Sequence, residues 1–255
     1  MKGIKGKVIA ITSGKGGVGK TIFATNLAGV YQHLKKKVLL IDMDLSSGGV
    51  NVLLNITNNK TIYNLADDIL NNRFKEASDY VYHYSEYVDI LSSCKDPRQA
   101  SKIDMKLLEQ IIMIYKNNYD VVILDTTHIP TTWTITALDL ADKVLFMITD
   151  NILDLKNSSN MLNILSEIKE NNLKVILNNS IRIEKKYFSK FDIKNIIKHN
   201  IDYIIPASMF IPNINKSLME GIILVLNENL SFKNKNDREL LINIAKNMVG
   251  DEDEK

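Results

Sequence analysis

A glycine-rich loop between an apolar strand pattern and a helical pattern constrains the fold of this chain more than any other feature. The segment Val8–Thr12 is mostly apolar, and it leads into residues 14–21, GKGGVGKT, at the start of a helical pattern. This is the phosphate-loop spacing G-x-x-x-x-G-K-T in its strand-loop-helix context. Glycines let backbone N–H groups converge on phosphate oxygens, and the helix N-terminus adds positive potential. The loop therefore predicts a nucleotide-phosphate site.

The side chains of the loop predict which groups touch the nucleotide. Lys20 is placed to reach the β- and γ-phosphates, and the Thr21 hydroxyl to coordinate Mg²⁺. An ordinary phosphate loop makes no demand for charge at Lys15, so on spacing alone this lysine could equally be solvated surface. The predicted contacts of the loop are Gly14, Lys15, Gly16, Gly17, Val18, Gly19, Lys20, Thr21 and Ile22.

Aspartates end two further apolar strand patterns. Asp42 and Asp44 follow the second pattern, and the period of two places both on one side at the carboxyl edge of the sheet, beside the phosphates. Asp125 follows the apolar residues 121–124, as in a Walker B strand, where the carboxylate binds a water of the magnesium shell. The predicted metal set is Thr21, Asp42, Asp44 and Asp125. Strand-end aspartates also cap loops, an alternative that stays open for Asp42 above all.

Short β-branched runs alternate with helical patterns along the chain. The runs are Lys7–Thr12, Lys37–Asp42, Val88–Leu91, Asp120–Asp125, Lys143–Thr149, Lys174–Asn178 and Ile201–Ile205. The alternation predicts an α/β fold, a mostly parallel seven- to eight-stranded sheet flanked by helices. Helices are predicted over Thr21–Leu34, Asp104–Tyr115 and Asp237–Met248, the last two N-capped by their aspartates. Residues 1–250 are predicted to form a single domain, with residues 251–255 as an acidic tail.

Charge and cysteine content exclude several classes of protein. Thirty-two basic and 30 acidic residues leave a net charge of +2, so the overall field requires neither a nucleic acid nor a membrane. The single cysteine, Cys94, cannot form an intramolecular disulfide or a thiolate cluster by itself. We therefore expect a cytoplasmic protein.

The box S-G-K-G-G-V-G-K-T (residues 13–21) resembles the deviant Walker A box of the ParA/MinD group of P-loop ATPases. The resemblance implies that Lys15 crosses a dimer interface to the partner's nucleotide and that Asp44 positions the attacking water. It implies a catalytic set of Lys15, Lys20 and Asp44, with ATP and Mg²⁺ as cofactors. It also implies a homodimer in the ATP state and slow, partner-stimulated hydrolysis. The pair Thr126-Thr127 departs from the x-Pro or x-Ala that follows this acid in most relatives, which leaves the hydrolysis rate open.

The same resemblance implies how the base is bound. Asn178 ends the strand pattern 174–178, where the family's asparagine reads the adenine edge with its paired donor and acceptor. The family's usual following arginine is replaced here by Asn179. Pro206 opens the second base-side segment, after the strand pattern that ends at Ile205.

Within the group, residues 125–134 (DTTHIPTTWT) resemble the pilus-localisation ATPases TadZ and CpaE. This resemblance predicts an ATPase that positions a pilus or secretion apparatus and binds its assembly proteins. A partition or division-site ATPase of the MinD type is the alternative, and an ATP-locked scaffold with negligible hydrolysis is a second one. His128 and Trp133 could equally be packing residues of the switch. One cysteine is too few for the iron-sulfur carriers of the group.

Two expectations concern surfaces. The sequence ends in DEDEK, where MinD proteins have a basic amphipathic helix, so no direct membrane insertion is expected, and any recruitment to a pole or membrane complex would be through a partner. The stretch Arg182–Lys198 carries six basic residues that could bind DNA phosphates. A solvated helix face in a lysine-rich chain is the alternative.

Overall fold

The computed structural model describes residues 6–180, 188–210, 214–227 and 235–250. Its strands are β1 Lys7–Ser13, β2 Val38–Asp42, β3 Tyr82–His83, β4 Val88–Leu91, β5 Val121–Asp125, β6 Lys143–Ile148, β7 Leu173–Asn178 and β8 Tyr203–Ile205. They form one sheet in the order β3-β4-β2-β5-β1-β6-β7-β8. All neighbours pair in parallel except β3, which is antiparallel to β4. The predicted mostly parallel α/β fold is confirmed.

Helices cover both faces of this sheet. They are α1 Lys20–His33, α2 Val50–Leu53, α3 Ile62–Leu70, α4 Pro97–Ala100, α5 Met105–Lys116, α6 Thr132–Leu140, α7 Ile152–Ile168, α8 Lys190–Ile197, α9 Ile214–Glu220 and α10 Lys235–Val249. None of those in the described ranges is both long and apolar enough to cross a membrane.

Alternate residues of the central strands feed two separate cores. Val8 and Ala10 of β1 pack on one face, with residues of α3, α5, α6 and α7. Ile9 and Ile11 pack on the other face, with α1 and α10. All four side chains are fully buried, as expected for a strand covered by helices on both sides.

The strand register brings the predicted acids to one edge of the sheet. β5 lies between β1 and β2, with Asp125 opposite Ile11 on one side and opposite Asp42 on the other. Because the chain leaves β1 at Ser13 along this carboxyl edge, the glycine-rich loop lies beside both carboxylates. In open parallel sheets this edge is where ligands bind.

One sequence-based detail is wrong. Asp237 is not the N-cap of α10: the helix includes Lys235 and Asn236, and Asp237 lies within its first turn, where its carboxylate accepts from Ser208 Oγ at 3.3 Å. The other predicted cap is confirmed, since Asp104 accepts from the Leu107 N–H at 2.8 Å.

Candidate active site

The glycine-rich loop joins β1 to α1 with a backbone that requires glycine at two positions. Gly17 (φ +75°) and Gly19 (φ +91°) lie in the left-handed region, which side chains disfavour. Gly19 is also the N-cap of α1 and supplies no side chain to the free N–H groups of the first turn. Those N–H groups therefore remain available to an anionic ligand.

Lys20 is held inside the loop as a largely buried cation. Its Nζ donates to Ser13 Oγ at 3.0 Å, and Ser13 Oγ donates in turn to the carbonyl of Lys15 at 2.7 Å. Burial lowers the pKa of Lys20, while the negative charges of Asp125, Asp44 and Asp154 act in the opposite direction. A phosphate group bound beside Nζ would compensate the desolvation of this ammonium.

Asp125 and Thr21 form the centre of the predicted magnesium site. Asp125 is 2% exposed, and within the described ranges its Oδ1 has no hydrogen-bond partner. Burial, followed by the charge of Asp42, raises the pKa of Asp125 to about 7, although the Thr21 hydroxyl opposes this shift by hydrogen bonding. A buried carboxylate oxygen without a partner, next to a hydroxyl, fits an oxygen-preferring cation such as Mg²⁺.

Asp42 lies beside this site but is engaged by the backbone. Its Oδ2 accepts from the N–H groups of Gly49 and Val50 at 2.8 and 3.0 Å, and its Oδ1 accepts from the Asp44 N–H at 3.1 Å. Burial raises its pKa to about 6 against these three hydrogen bonds. The carboxylate thus shapes residues 44–50, which agrees with the loop-capping alternative. Its magnesium role stays a prediction.

Asp44 is the half-buried carboxylate of the set. Its Oδ1 accepts from the Ser47 N–H at 3.2 Å, and its side chain reaches the same cavity as Lys20 and Thr21. A carboxylate that touches both solvent and the phosphate side of a cavity can orient a water molecule.

Lys20, Thr21, Asp44 and Asp125 line one open cavity of about 480 Å³, and Asp42 is absent from its described lining. Its lining residues are Gly16, Gly17, Gly19–Ile22, Asp44, Ser47–Gly49 and Asp125–His128. Lys15 is absent from the described lining, although it is partly buried, as Lys20 is. The loop's two lysines therefore differ in placement: Lys20 faces this cavity, and Lys15 does not line it.

Asp154 on α7 is a buried acid near the loop that sequence reasoning missed. It is fully buried, and it accepts from the N–H and hydroxyl of Thr149 at 2.6 and 2.8 Å and from Ser158 Oγ at 3.1 Å. Burial raises its pKa against these hydrogen bonds from Thr149 and Ser158 and, to a smaller extent, against the charge of Lys15. α7 also touches the loop directly, because a Cβ built on Gly14 would lie 2.7 Å from Ser158 Oγ. The sequence offers no signal that Asp154 lies beside the loop, since an acid in the first turn of a helix is ordinary.

Asn178 lies at the end of β7, beneath the glycine-rich loop. Its Nδ2 donates to the carbonyl of Val18 at 2.8 Å, and its Oδ1 accepts from both N–H and Oγ of Ser180 at 3.0 and 2.6 Å. The side chain is buried, so it ties the loop to β7. Reading adenine would require the amide to exchange some of these bonds, and that role stays a prediction. Pro206 follows β8, whose Ile205 pairs with Asn178 in the sheet.

The basic stretch is described only in its second half. Lys190, Lys194 and Lys198 are exposed on and just after α8, whereas Arg182, Lys185 and Lys186 lie outside the described residues. DNA binding by this stretch stays a prediction.

The fold and the site together define a P-loop ATPase of the ParA/MinD type, with ATP and Mg²⁺ as cofactors. A model of the AAA_31 family, described as an AAA domain, matches residues 6–183, and the chain belongs to this family.

Known proteins with similar sequences and structures agree with this class. The chain is 32% identical over 142 residues to an uncharacterised ATP-binding protein of Methanocaldococcus jannaschii, a match that spans 56% of this chain and 52% of that protein. It is 27% identical over 199 residues to the septum site-determining protein MinD of Bacillus subtilis, which covers 76% and 72% of the two chains. The solved MinD complex with Mg-ADP from Pyrococcus horikoshii has a TM-score of 0.75 and 24% identity, covering 94% of this chain and 95% of that one.

The raised pKa of Asp125 predicts a pH-dependent stability. Its folded pKa lies above its ordinary value, so the folded chain binds more protons, and the stability from this group is lost as pH rises from about 4 to about 7. Asp125→Asn should therefore stabilise the nucleotide-free chain at neutral pH by ~1–3 kcal/mol and weaken its response to Mg²⁺. Thermal unfolding at several pH values, with and without Mg-ATP, measures both effects. Equal pH profiles for the two chains would contradict the shift.

Asn178→Ala separates the two roles of that side chain. Loss of the bonds to Val18 and Ser180 should weaken ATP binding and destabilise the fold by ~1–3 kcal/mol. If the amide also reads adenine, the preference for ATP over GTP should fall as well. Competition binding with both nucleotides measures this, with the exposed Asn195→Ala as control. Unchanged selectivity would leave Asn178 as a tether of the loop alone.

Proposed function

We propose that this chain is a Mg-ATP-dependent switch that dimerises in its ATP state and thereby positions a cellular apparatus. The observation that carries the proposal is the placement of the two lysines of one loop. Lys20 is bonded to Ser13 and lines the cavity, whereas Lys15, which is also partly buried, is absent from the described lining. A cation that does not line the cavity of its own chain is suited to neutralise phosphate charge on a second copy of the chain.

The site supports hydrolysis through three groups with separate tasks. Lys20 and the first-turn N–H groups of α1 would bind phosphate oxygens, and Thr21 with Asp125 would hold the magnesium. Asp44, a partly buried residue of the cavity lining, would orient the attacking water. Asp42 is a positioning residue in this scheme, because its hydrogen bonds to the backbone fix the segment that carries Asp44.

The relatives favour a division-site or partition role over the pilus role. The Bacillus subtilis relative is named for determining the septum site, and the match covers most of both chains. The placement of a pilus or secretion apparatus remains the second candidate, supported by the Asp125–Thr134 segment with its His128 and Trp133. Both candidates use the same ATP-gated dimer, so they differ only in the partner.

Capture of partners by an ATP-locked form of the chain tests which apparatus is positioned. Asp44→Ala, expected to retain ATP, serves as bait, and Lys20→Ala, expected to bind nucleotide poorly, is the matched control. Division or partition proteins recovered with Asp44→Ala alone would support the first candidate. Pilus or secretion assembly proteins would support the second, and equal recovery on both baits would contradict an ATP-gated switch.

DNA as a partner is tested separately. Gel shifts at two salt concentrations should show binding that weakens as salt rises if Lys190, Lys194 and Lys198 contact phosphates. Loss of binding in a variant with all three lysines changed to glutamine would support a DNA matrix. No binding at low salt would refute one.

A further inference from the structure

The segment Thr126–Thr131, which follows β5, is fixed at both ends and exposed in the middle. Thr126 Oγ1 donates to the carbonyl of Ile11 at 2.8 Å, so a hydrogen bond to β1 fixes the start of the segment. Thr131 caps α6 by accepting from the Thr134 N–H at 3.2 Å. Residues 128–130 between these anchors are exposed. The segment therefore presents its central side chains to whatever occupies the space around it.

His128 forms the wall between the nucleotide cavity and a second, apolar groove. Its ring lies against Gly16, because a Cβ built there would be 3.2 Å from Cε1 and 3.3 Å from Nδ1 of the imidazole. The ring lines the nucleotide cavity together with Lys20. On its other side it lines a groove of about 470 Å³ between α6 and α7, with Ile135 and Met161 among the groove's apolar residues. The side chain of His128 is therefore shared by the two cavities, so a change in its position affects both.

The hydrogen bonding of the histidines sets His128 apart. The chain has four histidines. His33 contacts the Val225 carbonyl at 2.8 Å, His83 contacts Asp89 at 2.6 Å, and His199 contacts Asn163 at 3.3 Å. In the part of the chain that the structure describes, neither ring nitrogen of His128 has such a partner. Its N–H donor is therefore available to a ligand in the cavity.

We propose that His128 is a positioning residue that donates a hydrogen bond to the terminal phosphate of ATP and passes the presence of that phosphate to α6. His128 comes three residues after Asp125 and lines the same cavity as this predicted magnesium ligand. Asn178, the predicted adenine contact, is bonded instead to Val18 of the loop. An imidazole N–H beside Gly16 and Lys20 can reach a phosphate oxygen that ATP has and ADP lacks. The proposal rests on the nucleotide site and is independent of which apparatus the ATPase positions.

The only tryptophan of the chain lies on α6, where its fluorescence can report a shift of the segment Thr126–Thr131. Trp133 lies in the first turn of α6, two residues after the Thr131 cap, and its Nε1 donates to the carbonyl of Ile103 at 2.8 Å. A shift of Thr126–Thr131 toward the phosphate would act on this turn and on that hydrogen bond. We therefore expect the emission of Trp133 to differ between the complex with a non-hydrolysable ATP analogue and the complex with ADP.

Replacement of His128 tests the proposal. His128→Ala should weaken binding of the ATP analogue by ~10-fold or more and leave ADP binding within about twofold, because only ATP offers the terminal phosphate. The emission difference between the two complexes should disappear. His128→Gln, which keeps a neutral N–H donor, should recover part of both signals. Calorimetric titration and tryptophan fluorescence provide the measurements, and His199→Ala is the matched control.

A purely packing role for His128 would give a different result. Equal losses for ATP analogue and ADP, or unchanged binding of both, would overturn the proposal, as would an emission difference that persists in His128→Ala. Because His128 is exposed, its removal should leave the thermal midpoint of the nucleotide-free chain unchanged. If the unaltered chain bound neither nucleotide, the nucleotide site itself would be refuted, which is distinct from a specific failure of His128.

Discussion

Lys15→Ala is expected to bind ATP as a monomer with nearly unaltered affinity and to lose ATP-driven dimerisation. Lys15 does not line its own nucleotide cavity, so its removal leaves the phosphate contacts of Lys20 in place. A charge-assisted contact to phosphate contributes roughly 1.5–3 kcal/mol, and two-fold symmetry makes the contact twice per dimer. The association constant should therefore fall by at least ~100-fold. Mass photometry over a concentration series with ATP and Mg²⁺ measures it.

Lys20→Ala is the matched control for that experiment. Lys20 faces the cavity and donates to Ser13, so its loss should impair nucleotide binding itself in the monomer. The two variants remove the same charge from the same loop and should fail at different steps. Equal dimer fractions for the unaltered chain and Lys15→Ala would return Lys15 to the solvated surface.

Asp44→Ala is expected to retain ATP and lose most turnover, by roughly 100-fold. Asp44 is a partly buried carboxylate of the cavity lining that can orient water, and Lys20, Thr21 and Asp125 would still hold the triphosphate and the metal without it. Phosphate release under saturating ATP, measured beside direct ATP binding, separates the two properties. The exposed Asp79→Ala removes a carboxylate elsewhere and should change neither.

A loss of ATP binding in Asp44→Ala would contradict this assignment. Asp44 would then serve the fold or the metal, since its Oδ1 also accepts from the Ser47 N–H. Asp44→Asn distinguishes the two explanations, because it keeps an acceptor for that N–H and removes the charge. Recovery of ATP binding without turnover in Asp44→Asn would restore the water-orienting role.

The fold could be predicted because its strongest signals are local in the sequence. The phosphate loop and the apolar strands that end in Asp42 and Asp125 each appear within a few residues, and parallel strands bring their carboxyl ends together. The start of α10 differs from the prediction for a physical reason. An aspartate in the first turn of a helix has the same sequence signature as a cap.

The edge of the sheet at which the predicted site residues lie could be predicted, but their contacts could not. Asp42 and Asn178 lie where expected, yet hydrogen bonds engage Asp42 with the segment before α2 and Asn178 with Val18 and Ser180. These contacts depend on loop geometry that spacing does not encode. The position of Asp154 beside the loop depends on the packing of α7 against Gly14. Because Gly14 and Asp154 are 140 residues apart, the sequence holds no local signal for it.

Sedimentation velocity of the unaltered chain, with Mg²⁺ and either a non-hydrolysable ATP analogue or ADP, tests whether ATP gates dimerisation through the glycine-rich loop. We expect a monomer with ADP and a concentration-dependent dimer with the ATP analogue, which reverts to monomer when magnesium is chelated. The same distribution of species with both nucleotides, whether monomer or dimer, would contradict it.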